Sequence, residues 1–115
     1  MEEEDMKITD DELIADIIED GADYIEKNGW FRGDLYQKGR DHRDHSPACM
    51  MGGIMAANTM EDGHTRIGLY FIVQRFQEAI PQVQTLAAWN DYVAKDVQEV
   101  LDTMRLAAKR IRGAA

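Results

Sequence analysis

The sequence predicts an all-α domain, a compact bundle of four to five helices interrupted by one long loop at about residues 29–45. Three observations carry that prediction. Apolar residues return at helical spacing in three segments, around 13–25, 69–80 and 97–111. Each segment is flanked by residues that start or stop helices. The length of 115 residues suits a single domain with one core. Residues 9–115 are therefore assigned to one helical domain, behind an acidic arm at 1–8 that lacks apolar periodicity and is expected to be disordered.

The first helix is expected over 10–28. Thr9 and Glu12 have the spacing of a capping box, and Ile8 and Leu13 that of a hydrophobic staple. Leu13, Ile14, Ile17, Ile18, Ala22 and Ile25 form its apolar stripe, and Asn28-Gly29 ends it. Residues 29–45 hold three glycines and no sustained period, so they read as a loop with a short strand or turn near Leu35-Tyr36, over Trp30 and Phe31. Ser46 as N-cap and Pro47 at the first helical position would open the second helix. Its two small-residue stripes, Ala48/Gly52/Ala56 and Cys49/Gly53/Ala57, predict close packing by another segment, because each glycine weakens a helix by about 1 kcal/mol. A third helix is expected over about 65–80, capped by Thr65 and stopped by Pro81. Residues 86–91 read as a short helix ending in a turn. Asp96 and Glu99 then give a capping-box-like start to the last helix.

Charge is divided unevenly. Residues 1–26 hold twelve acids against Lys7, a balance of −11, whereas the remaining residues sum to +2. The acidic balance argues against a direct nucleic-acid binder. No run is long and apolar enough for a membrane span. A single cysteine and an acidic N-terminus fit a cytoplasmic protein without an internal disulfide. The basic cluster Arg105, Lys109, Arg110 and Arg112 suits the negative end of a helix dipole.

Several constellations could carry function. Asp16, Glu19, Asp20, Asp23 and Glu26 offer an acidic interaction face on the first helix, although such a face is commonly only solvated. His42, His45, Cys49 and His64 are donors of the types tetrahedral zinc takes, but one cysteine and no second compact pair make this the weaker reading, and neither metal nor cofactor is expected. Cys49, in the first turn of the second helix, could be a nucleophile with His42 or His45 as base; the simpler reading is a buried small side chain. Trp89-Asn90-Asp91 could be an anchored turn, or one wall of a small-ligand pocket shared with Trp30 and Cys49.

Gly29-Trp30-x-x-Gly33, Cys49-x-x-Gly52-Gly53-Ile54 and Trp89-Asn90-Asp91, in that order, resemble a family of small domains of unknown function found in actinobacteria and their phages. The resemblance spans about residues 12–104, with Gly53-Ile54 standing where an Ala-Leu pair is commoner. It brings no established activity. It implies a helical fold and a phage or actinobacterial origin, and a small acidic phage protein would act by binding a host protein. The leading expectation is thus a phage-encoded, non-enzymatic accessory protein of the cytoplasm that binds a host protein, with homo-oligomerisation left open. The rival is a small-ligand-binding or catalytic domain built on Trp30, Cys49, Trp89, Asn90 and Asp91, for which the chain offers only a loose set of convergent groups.

Overall fold

The computed structural model describes residues 10–37 and 39–114. These form five helices and no sheet: α1 (Asp10–Asn28), α2 (Met50–Asn58), α3 (Leu69–Ala79), α4 (Leu86–Ala88) and α5 (Val97–Ala114). A 3₁₀ turn at His42–Asp44 precedes α2, and α4 runs directly into a π-helical turn at Trp89–Val93. The acidic arm at 1–8, the Thr9 cap and the Ile8 staple lie outside the described residues.

The core sits between α1 and α5, closed by α2 on one side and α3 on another. The apolar stripe of α1 is buried from Ile14 to Ile25, as its spacing predicts, and faces Val100, Leu101, Met104, Ala108 and Ile111 of α5. Ile72, Phe76 and Ile80 complete the core from the α3 segment. Fully burying a side chain of this size contributes roughly 1.5–3 kcal/mol, so these stripes carry most of the stability. Gly53 explains the crossing of α1 and α2. A Cβ at Gly53 would stand 2.9 Å from the Gly21 carbonyl oxygen and from the Ile25 side chain, and one at Gly21 would meet the Gly53 backbone at 3.1 Å. The predicted close packing is therefore glycine against glycine.

Three boundaries differ from expectation. The second helix starts at Met50, with Cys49 rather than Ser46 as N-cap, and its Sγ accepts from the Gly52 N–H at 3.3 Å. The preceding backbone is extended because other segments take its hydrogen bonds. Ala48 N–H donates to Gly29 C=O at 3.1 Å, Ala48 C=O accepts from Phe31 N–H at 3.0 Å, and Cys49 N–H donates to Leu35 C=O at 3.0 Å. Ser46 Oγ donates instead to the Asp41 carbonyl at 3.0 Å.

The third helix starts at Leu69, not near Thr65. Asn58 holds the incoming chain: its Nδ2 donates to Ile67 C=O at 2.8 Å, its Oδ1 accepts from Ile67 N–H at 3.1 Å, and its own carbonyl accepts from Arg66 N–H at 2.8 Å. Thr65 pairs with Thr59 in an isolated bridge. The turn after residue 88 is π-helical, closed by Ala94 N–H donating to Trp89 C=O at 2.9 Å. At α5, Asp96 Oδ1 accepts from Glu99 N–H at 2.9 Å, while the Glu99 carboxylate reaches back to Lys95 N–H at 2.7 Å. The capping box holds, displaced by one residue on its return bond.

Candidate functional site

The three sequence elements of the resemblance meet at Asn90. This side chain is fully buried in the π-turn, and all four of its hydrogen-bonding capacities are used. Oδ1 accepts from Trp30 Nε1 at 2.7 Å and from Met50 N–H at 3.0 Å. Nδ2 donates to Phe31 C=O at 3.1 Å and to Asp91 Oδ1 at 2.9 Å. Asp91 Oδ1 also accepts from Gly33 N–H at 2.9 Å, at a glycine with φ +95°. One amide side chain thus ties together the loop after α1, the first residue of α2 and the π-turn.

The loop wraps tightly around the start of α2. Tyr36 OH donates to Gly52 C=O at 2.8 Å, and Tyr24 OH donates to Ser46 C=O at 2.9 Å. Gly52 permits this wrap, since a Cβ there would fall 2.2 Å from the Leu35 carbonyl oxygen. Burial raises the pKa of both phenols, strongly for Tyr36. Outside this layer, the Arg32 guanidinium lies 4.5 Å from the Trp30 ring centroid and donates to the carbonyls of Ala94 and Lys95.

Of the predicted pocket residues, Trp30, Cys49, Asn90 and Asp91 are brought together, whereas Trp89 packs largely into the core beside them. Cys49 and Asp91 line an open cavity of about 210 Å³ with Gly33, Asp34, Leu35 and Ala87. Burial pushes the Cys49 thiol up, the Asp91 charge adds to that, and hydrogen bonds from backbone N–H groups oppose it. The thiol is therefore held protonated at neutral pH, the wrong state for a nucleophile. Neither histidine of the 42–45 turn lines that cavity. His42 and His45 line a different, wider cleft with Thr59–Gly63, and His64 Nδ1 lies 3.1 Å from Asp62 on the surface. Among the described residues no three His, Cys, Asp or Glu side chains converge to hold a metal ion.

The acidic face is met from within the molecule. On α1, Asp16 and Glu19 pair with Arg112 at 2.6 and 2.9 Å, and Asp23 and Glu26 pair with Arg105 at 3.1 and 3.0 Å. Asp20 lies 3.5 Å from Arg66, and Asp11 pairs with Arg75 at 2.7 Å. The dipole explanation of the C-terminal basic cluster is thus incomplete for Arg105 and Arg112, which cross to the antiparallel α1. A signal for this was present in the sequence: both the arginines and their acid pairs repeat at seven-residue intervals, two turns of each helix.

Sequence reasoning missed a further feature, the outer side of the π-turn. Tyr92 is 85% exposed and Val93 59% exposed, beside a shallow groove of about 250 Å³ lined by Gln82, Gln84, Thr85, Ala88 and Trp89. The only hint was an aromatic and a β-branched residue directly after the Trp-Asn-Asp element.

A family of unknown function, DUF6197, matches residues 9–110, and the chain belongs to it. No curated protein and no solved structure matches the chain. No described helix is long and apolar enough to cross a membrane.

Proposed function

We propose that this chain is a non-enzymatic accessory protein of the cytoplasm that works by binding another protein. Following the resemblance to domains of actinobacteria and their phages, we propose further that it is phage-encoded and that its partner is a host protein. The observation that carries the binding reading is the π-turn: Tyr92 and Val93 stand exposed on a segment whose backbone is fixed from below by Asn90. A large amphipathic side chain on a pre-ordered turn loses little freedom on association, and tyrosine is among the residues enriched at interface hot spots.

A tagged full-length chain passed through host lysate tests this, side by side with a Tyr92→Ser/Val93→Ser variant. Proteins retained by the wild type and released by the variant are the expected result. An identical retained set for both chains overturns the reading. The cavity shared by Cys49 and Asp91 supports a second reading, a small-ligand or catalytic pocket. Rapid alkylation of Cys49 by iodoacetamide at neutral pH, with the fold intact, would favour it; resistance until unfolding is expected.

A further inference from the structure

One residue from each of the three sequence elements lines the cavity at Cys49: Gly33, Cys49 itself and Asp91. Both charged side chains in its wall, Asp34 and Asp91, are carboxylates, and no cation lines it among the described residues. Arg32, beside Gly33 in sequence, is committed elsewhere, to the Trp30 ring and to the carbonyls of Ala94 and Lys95. Each carboxylate keeps one oxygen in reserve. Asp91 uses Oδ1 for the N–H of Gly33 and the Nδ2 of Asn90, and Asp34 uses Oδ1 for the N–H of Leu35. The Oδ2 of each accepts no hydrogen bond among the described residues. The buried thiol adds an independent observation. Cys49 is 2% exposed, its Sγ accepts from Gly52 N–H, and its S–H proton reaches no acceptor among the described residues. A thiol is a weak donor, but a buried donor without a partner at a cavity wall leaves a place for an oxygen atom of a ligand. Leu35 and Ala87 supply the apolar part of the wall. At about 210 Å³ the cavity is smaller than the roughly 300–1,000 Å³ of drug-sized pockets, so its ligand has only a few heavy atoms.

Resting on the second reading above, that this cavity takes a small ligand, we propose that the ligand is a short amino alcohol, with its ammonium group on the free oxygens of Asp34 and Asp91 and its hydroxyl oxygen accepting from the Cys49 thiol. The carbon chain between them lies against Leu35 and Ala87. Charge selects the sign of the ligand: two carboxylates with no cation in the wall repel an anion and attract an ammonium, whose hydrogen bonds to them are charge-assisted. The thiol selects the second group, because an ammonium has only donors and cannot satisfy an S–H.

Titration of the full-length chain with 3-aminopropan-1-ol, followed through the backbone amide NMR signals of Gly33, Leu35 and Ala87, tests the inference. Saturable shifts are expected, with an affinity about tenfold or more above that of propane-1,3-diol, which lacks the charge, and about threefold above that of n-propylamine, which lacks the oxygen. Asp34→Asn keeps an oxygen for Leu35 N–H, so the fold should hold; it should weaken 3-aminopropan-1-ol about fivefold or more and leave the diol unchanged. Glu61→Gln, which removes an exposed carboxylate that does not line this cavity, should change neither. A diol that binds as tightly as the amino alcohol overturns the ammonium site while keeping the small-ligand pocket. An n-propylamine that binds as tightly overturns the thiol contact, and an Asp34→Asn chain that binds as wild type does overturns the role of the carboxylates. No saturable shift from any of the three compounds overturns the proposal, and the alkylation of Cys49 then judges the pocket reading separately.

Discussion

Two regions of the molecule hold the fold together by opposite means. At Asn90 a single uncharged side chain, cut off from water, makes four hydrogen bonds to three chain segments. Between α1 and α5, two arginines about a third exposed each reach a pair of carboxylates across the helix interface. Drawn as contacts, the two look alike in number. Their environments make them unequal. A buried donor that loses its partner must stay dry and unbonded, whereas an exposed arginine that loses its carboxylate is rehydrated. The buried knot therefore fixes the geometry of the π-turn, and the arginine rows mainly neutralise a helix that would otherwise repel itself.

The sharpest way to break this comparison is Asn90→Ala. It leaves the buried Met50 N–H and the partly buried Trp30 Nε1 and Phe31 C=O without their partner, and at about 1–3 kcal/mol for a buried orphan and less for a partly buried one the loss should exceed about 2 kcal/mol. Urea denaturation checks it; a loss below about 1 kcal/mol would mean that water replaces the amide and the knot is not buried as described. Gly53→Leu comes next, with overpacking against Gly21 and Ile25 expected to lose about 1–3 kcal/mol or more. An unchanged melting temperature would remove the tight α1–α2 crossing from the account.

Alkaline titration separates the two regions within one sample. Cys49, Tyr24 and Tyr36 all have pKa values raised by burial, and all lie around the loop and the start of α2. Below the unfolded values, about 8.5 for a thiol and about 10 for a phenol, each is neutral in both states and its contribution is complete. As pH climbs past those values the unfolded chain ionises first, so stability should fall progressively through the alkaline range. The arginines remain charged there. A stability that stays level to pH 11 would contradict the burial of these groups.

The smallest effect belongs to the arginine rows. Arg105→Ala with Arg112→Ala should lose only about 0.5–2 kcal/mol together at low salt, and most of that should vanish in 1 M NaCl. The Asn90→Ala loss should be nearly independent of salt. If both losses respond to salt equally, the distinction between the regions fails.

The periodic parts of the fold were legible in the sequence. The stripe from Leu13 to Ile25 gave α1 its residues and its buried face, because a helix repeats every 3.6 residues whatever it packs against. The stripes from Leu69 and from Val97 did the same for α3 and α5, and the glycines of α2 announced a close crossing. These follow from local geometry and from the burial of apolar surface, and both are written in residue order.

Tertiary structure alone decided the rest. Ser46-Pro47 has the local chemistry of a helix start, yet Gly29, Phe31 and Leu35 claim the next backbone groups and delay the helix to Met50. Thr65 could cap, but Asn58 holds Arg66 and Ile67 in extended backbone. Asn90 is an ordinary turn residue by sequence, and only the arrival of Trp30, 60 positions away, gives its amide a buried partner. Arg112 meets Asp16 across 96 positions for the same reason. Residue types and periodicity set which elements form; which donor meets which acceptor depends on segments brought together only when the core closes.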